Sequence, residues 1–282
     1  MGTRIIHTLI PTNQKSKMNP DRPAETLRLM QLCSPMLPTG AFAYSQGLEF
    51  AVSKGWVKDE KTTSMWVQGL LANSLTYLDV PLLSRLYKAW SVNDKKNVLY
   101  WNDYLYACRD SKELREEEKQ LAHALARLLG DLGITEAIEW KEKSRACFLS
   151  VYALGVWHWK ISLREASLGY LWMWAENQVL AAIKLVPLGQ TSGQKLLSSA
   201  IEIIPDLVLT GLALQDTEIG FTKQKLPKEK RFAERSLRNL VGSEDDLQTA
   251  SARLGHSSTS TTQQYYRIKP TVVLPLSHNN QS

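Results

Sequence analysis

The chain has 282 residues, 44% of them hydrophobic and 22% charged, with a formal net charge of +6, values typical of a globular protein long enough to bury a sizeable core. The positive excess sits at the ends: residues 221–282 hold 10 basic against 5 acidic side chains and residues 1–24 hold 4 against 1, so the body between them carries no electrostatic footprint for nucleic acid. No run approaches the ~20 apolar residues of a membrane span, and Ile5, Ile6, Leu9 and Ile10 form too broken a run for a secretory signal, which leaves the cytoplasm as the expected location.

In chain order, residues 1–24 are polar, contain Pro11, Pro20 and Pro23, and read as a disordered leader. From Glu25 to Gly220 nearly every segment has helical periodicity and strand-like alternation is scarce. The expected fold is all-α, a compact bundle of about ten helices. Thr26 is the expected N-cap of a helix carrying Leu27, Leu29, Met30 and Leu32, which Pro35 and Pro38 stop. Met65, Trp66, Leu70, Asn73 and Tyr77 recur at three- and four-residue spacings, and Pro81 opens a new helix after Asp79. Asp110, three residues before Glu113, predicts a capping-box start for a helix with Leu114, Leu121, Leu125, Leu128 and Leu129 on its dry side and Gly130 near its end. Arg115, Glu116, Lys119 and Gln120 fall on its wet face, and the carboxylates of Glu116 to Glu118 read as solvated. The most apolar segment, Leu168 to Leu188, contains Glu176, Asn177, Gln178 and Lys184, the pattern of a buried helix rather than a membrane span. Past Gly220 the charged, proline-containing residues 223–231 read as a linker, and residues 256–263 are rich in hydroxyls with no core-forming pattern. Three parts follow: a leader at 1–24, a helical domain at 25–220 and an atypical basic tail at 221–282.

The body carries no recognisable machinery for chemistry of its own. Gly40 to Gly47 has the wrong spacing for a serine nucleophile elbow, and neither a phosphate-binding loop nor a dinucleotide fingerprint occurs. Cys33, Cys108 and Cys147 are odd in number and far apart, as expected of buried thiols in a reducing compartment rather than disulfides or a zinc site. The body's two histidines, His123 and His158, share no ligand spacing, and His158 between Trp157 and Trp159 reads as a packed core or edge residue. The remaining features suggest surfaces. Nine tryptophans and ten tyrosines exceed what a small core needs. Trp172 and Trp174 precede Glu176–Asn177–Gln178 on an apolar helix whose polar side chains must find partners within the fold or across an interface.

Leu27–Arg28–Leu29–Met30–Gln31–Leu32, Ser34–Pro35, Leu37–Pro38, then Gly40–Ala41–Phe42–Ala43–Tyr44–Ser45–Gln46–Gly47–Leu48–Glu49 and Gly55–Trp56–Val57 closely resemble the opening of the urease accessory protein family UreF. Arg109–Asp110–Ser111–Lys112–Glu113–Leu114–Arg115 resembles its middle segment. Trp174–Ala175–Glu176–Asn177–Gln178, Ala181–Ala182, Pro187–Leu188–Gly189–Gln190 and Gly193–Gln194 resemble its late motif. The resemblance covers about residues 25–220. It implies an all-helical, dimeric, non-catalytic protein that joins UreD (also called UreH) and the nickel-carrying GTPase UreG to deliver nickel to apo-urease. It also implies that this chain holds no cofactor or fixed metal itself, nickel and GTP being handled by the wider complex. The matched positions become interface candidates: Gly40, Phe42, Tyr44, Ser45, Gly47, Glu49, Arg109, Glu113, Arg115, Asn177, Gln178, Gln190 and Gln194. Gly40 and Gly47 would permit close backbone approach, with Phe42 and Tyr44 as anchors.

The tail departs from that family. Leu254 to Tyr265 is similar to the last motif of tyrosine recombinases, with His256 and Tyr265 at the matching nine-residue spacing. The upstream HxxR element is missing, however, because no histidine lies between His158 and His256. The favoured reading of residues 221–282 is a gene-fusion or frame-shift scar, the alternative a divergent but working accessory tail. An assembly chaperone is thus the leading functional reading. A recombinase-like DNA-binding fragment is the runner-up, and an independent nickel metallochaperone is disfavoured by the sparse histidines and cysteines.

Overall fold

The computed structural model describes residues 23–40, 46–109 and 111–220. Every regular element among them is helical, as the periodicity predicts. Residues 1–22 of the expected leader, the recombinase-like motif with His256 and Tyr265, and the interface candidates Phe42, Tyr44 and Ser45 lie outside the described residues, whereas residues 23 and 24, expected in the leader, are helical.

The chain opens with α1 (Pro23–Cys33). It starts earlier than a Thr26 cap predicts, because proline's fixed φ and missing N–H suit a helix's first turn. A short α2 (Leu48–Ser53) follows Gly47. Next comes α3 (Glu60–Leu70), closed at its start by a reciprocal cap in which Asp59 accepts from the Thr62 backbone N–H at 2.8 Å. It continues into a π-helical turn, Leu71–Leu75, where the buried Thr76 hydroxyl donates to the Leu71 carbonyl at 2.7 Å. Then come α4 (Asp79–Ser91), α5 (Lys95–Cys108) and α6 (Lys112–Asp131). The N-cap of α6 is Ser111, whose hydroxyl accepts from the Leu114 N–H at 3.1 Å, one residue beyond the Asp110 expected from sequence. A 3-10 turn (Thr135–Trp140) leads to α7 (Phe148–His158). The long pair α8 (Leu163–Leu185) and α9 (Gln190–Leu212) completes the body, followed by a 3-10 turn at Asp216–Glu218.

The architecture is centred on α7. Every residue from Phe148 to Val156 is buried, so this helix has no wet face along most of its length and must be enclosed. Helices α4 and α6 pack along it, with α5, α8 and the Thr135–Trp140 turn completing its surround. The fully buried Asn102 donates to the Arg145 carbonyl at 2.7 Å and accepts from the Cys147 N–H at 3.0 Å and the Ser150 hydroxyl at 2.9 Å, as a polar group in a core requires. On the other side, α9 doubles back along α8, α3 lies across both, and α1 covers α8.

Helix α9 reaches the π turn only because residue 211 has no side chain. A Cβ there would sit 2.7 Å from the Thr76 carbonyl oxygen and 2.7 Å from Val80 Cγ1, closer than such atoms approach. Replacing a helical glycine by alanine ordinarily stabilises by about 1 kcal/mol. Here we expect Gly211→Ala to destabilise by about 1–3 kcal/mol through overpacking, read from urea unfolding curves. A variant as stable as the parent would mean that the contact yields without cost.

Candidate functional site

The polar centre of the body forms where α4, α6 and α8 meet the end of α5. Arg109, the first residue past α5, is 17% exposed and bridges two buried carboxylates. Its Nη2 lies 2.7 Å from Asp79 Oδ1 and 2.6 Å from Glu118 Oε1, and its Nε donates to Glu118 Oε1 at 2.7 Å. The Tyr170 hydroxyl donates to the same Asp79 oxygen at 2.8 Å, and Glu118 Oε2 accepts from the Phe148 N–H at 2.8 Å. One guanidinium thereby connects α4, α6, α7 and α8. Burial works against its charge, yet the two carboxylates hold its pKa well above the usual arginine value. Burial, and then the negative charge of Asp79, raise the Tyr170 phenol in turn. Of the group's acceptors, Asp79 Oδ2 is buried and has no hydrogen-bond donor among the described residues.

Beside this network lies a second buried acid. Glu117 is 7% exposed, and its Oε1 accepts from Gln46 Nε2 at 2.9 Å. The Gln46 side-chain oxygen, Oε1, in turn accepts from the indole N–H of Trp174 on α8. Gln46 has φ +48 and Gly47 φ +87, so two successive left-handed residues turn the chain into α2, and glycine fits the second at little cost. Burial pushes the Glu117 pKa up to about 7; the Gln46 hydrogen bond opposes that rise and the nearby Glu118 charge adds to it. The solvated face expected for Glu116 to Glu118 is therefore corrected. Only Glu116 is exposed, pairing with Lys119 at 2.6 Å, whereas Glu117 and Glu118 turn inward.

These residues line a cavity of about 170 Å³. Asp79, Glu117, Glu118 and Tyr170 are buried within it, whereas Gln46, Ser74, Cys108, Leu114, Trp174 and Asn177 are half-buried. Of the sequence-predicted positions, Arg109 and Asn177 thus come together at one site. Arg115 supports it from behind: its Nε donates to the Arg109 carbonyl at 2.8 Å, and its guanidinium lies 5.7 Å over the Tyr106 ring. Gly40 is half-buried with φ +75, Gly47 caps α2, and Glu49 is exposed on that helix. Glu113, Gln190 and Gln194 are exposed on the opening turns of α6 and α9. Gln178 is a core residue instead: it is 1% exposed and accepts from the Trp66 indole N–H at 3.2 Å. Sequence reasoning missed Gln46, Asp79, Glu117, Glu118 and Tyr170 as a group. The one available signal was the need of Trp174, on an apolar helix, for an acceptor.

Chemically, the arrangement can accept hydrogen bonds and positive charge. Burial pushes the Cys33 thiol up to about 12 and raises that of Cys147 as well, which leaves both as packing residues. Among the described residues no group of three or more histidine, cysteine or acidic side chains is placed to hold a metal ion, and no helix is long and apolar enough to cross a membrane.

The UreF family model matches residues 57–201. A urease accessory protein UreF of Alkalilimnicola ehrlichii is 50% identical over 193 residues, covering 68% of this chain and 85% of the relative. The protein of that name from Pseudomonas putida is 44% identical over 194 residues, 69% of this chain and 87% of the relative. That from Hahella chejuensis is 38% identical over 198 residues, 70% and 89% respectively.

Proposed function

The chain belongs to the UreF family of urease accessory proteins, and from this premise we propose that it is a cytoplasmic assembly chaperone for GTP-dependent nickel insertion into urease. In this reading it acts as a dimer, joins UreD and the GTPase UreG to apo-urease, and contributes surfaces rather than catalytic residues. The observation that carries the reading is the extent of the likeness: it covers 85% of a UreF relative at 50% identity. Exposed Glu49, Glu113, Gln190 and Gln194 are the side chains we assign to partner contact, together with Phe42, Tyr44 and Ser45. Residues 221–282, with His256 and Tyr265, are taken as a fusion-derived tail with no DNA chemistry.

The test is co-purification of the full chain with UreD and UreG, paired with urease activation in cells lacking their own copy of this gene. Gly47→Val probes the turn into α2. A β-branched residue at φ +87 is strained by about 1–2 kcal/mol, a cost the large core of the body can absorb. We expect helical circular dichroism near the parent's and urease activation reduced several-fold. Full activation by Gly47→Val, or failure of the parent chain to retain either partner, would count against the reading.

A further inference from the structure

We propose that the cavity between α4, α6 and α8 is a binding site for a guanidinium group, supplied by a free small molecule or by an arginine side chain of a partner protein. The proposal stands apart from the assembly role, because a free guanidinium ion is enough to test it.

Charge gives the first reason. Among the described residues, three carboxylates, Asp79, Glu117 and Glu118, line the cavity against a single cation, Arg109. Arg109 is engaged with Asp79 Oδ1 and Glu118 Oε1, so Glu117 is left with a neutral amide donor from Gln46. The second reason is an unmet acceptor. Asp79 is 2% exposed and its Oδ2 has no donor among the described residues, an expensive state, and this same residue lines the cavity. Size is the third. At about 170 Å³ the space exceeds several times the ~30 Å³ share of one water molecule, enough for a planar group of four heavy atoms.

The walls then discriminate among cations. A metal ion would need clustered ligands, and no such group occurs among the described residues. Leu70, Leu75, Leu78 and Met173 make much of the lining apolar, which disfavours a strongly hydrated ammonium. A guanidinium is more weakly hydrated, projects all its donors in one plane and stacks on aromatic faces. The half-buried Trp174 supplies an aromatic ring to the lining, and Ser74 and Asn177 add neutral acceptors. The titratable and charged groups around Glu117 are Glu118 on its own helix, Arg109, Asp79 on α4, Cys108 on α5 and Tyr170 on α8. Because Glu117 titrates near pH 7, a cation seated beside it must displace a proton at lower pH, which links affinity to pH.

The test titrates guanidinium chloride, at low millimolar concentration and constant ionic strength, into the nitrogen-15-labelled full chain. The Trp174 indole N–H resonance, assigned by its loss in Trp174→Phe, is followed at about pH 8 and about pH 6. We expect a saturable shift that is about ten-fold weaker in affinity at the lower pH, with no saturable shift from sodium or tetramethylammonium chloride. In Glu117→Gln, binding should weaken and lose its pH dependence, while the Trp66 indole resonance, buried elsewhere, confirms an intact fold. N-acetyl-argininamide identifies the source: if it produces the same shift the site takes an arginine side chain, and if only the bare ion binds it takes a free small molecule. No saturable shift with guanidinium at pH 8, an equal shift with sodium or tetramethylammonium chloride, or undiminished binding in Glu117→Gln would overturn the proposal.

Discussion

Replacing Arg109 by methionine is expected to destabilise the body by about 3–5 kcal/mol and to lower its melting temperature by about 6–20 °C. The loss comes less from the missing attraction than from what remains. Asp79 and Glu118, 2% and 9% exposed, would face each other without the guanidinium that both now contact within 2.7 Å. Their other donors, the Tyr170 hydroxyl and the Phe148 N–H, are neutral and cannot cancel two buried charges. Neutralising the acids as well, in a triple variant with Asp79→Asn and Glu118→Gln, should recover part of the loss, because the uncompensated charge is then gone. Calorimetry at neutral pH decides between these outcomes. An Arg109→Met chain melting within about 2 °C of the parent would show that the ion network does not hold the four helices in place.

Glu117→Gln should do the opposite, and only at the higher end of the pH range. The folded chain keeps a proton on Glu117 up to about pH 7, whereas an unfolded glutamate releases it near its ordinary value of 4.5. Between those values the folded state binds more protons, so stability falls as pH rises through that window. Above about pH 7 this group contributes no further slope, and below 4.5 both states are protonated. The accumulated penalty is about 3 kcal/mol at pH 8. Glutamine cannot ionise, yet it preserves an acceptor for Gln46. The variant should therefore match the parent near pH 4 and exceed it by about 3 kcal/mol near pH 8. Urea unfolding across that range provides the measurement. Parallel curves for variant and parent at both ends would mean that Glu117 ionises freely in the folded protein.

The fold class was legible because nearly every segment between Glu25 and Gly220 repeats its apolar residues at helical spacing, and because prolines and caps mark the breaks. Details that depend on one turn were less so. Thr26 and Asp110 both looked like caps, but α1 already begins at Pro23 and the neighbouring Ser111 caps α6. The π turn at Leu71–Leu75 leaves no mark in a three- and four-residue pattern. The polar centre was the hardest to read. Glu117 and Glu118 sit in a run of charged residues that any periodicity assigns to water, and what turns them inward is remote. Arg109 meets Asp79 across 30 positions, Tyr170 meets Asp79 across 91, and Gln46 meets Glu117 across 71. Long-range complementarity of this kind has no local signature. Gln178 illustrates the converse: its motif suggested a surface, whereas its partner is a buried indole 112 residues away.

The enclosure of α7 bears on how the protein is made. A helix buried along Phe148–Val156 would be an aggregation hazard if it left the ribosome before its surroundings. The helices that pack most of its length, α4 and α6, precede it in the chain, as does α5, and are synthesised first. Only the closing contribution of α8 comes later, with the Ala166 carbonyl that receives the Tyr152 hydroxyl at 2.9 Å. The nascent chain thus presents α7 to an almost complete receptor. Once α8 closes over it, its backbone amides reach solvent only when the whole body opens.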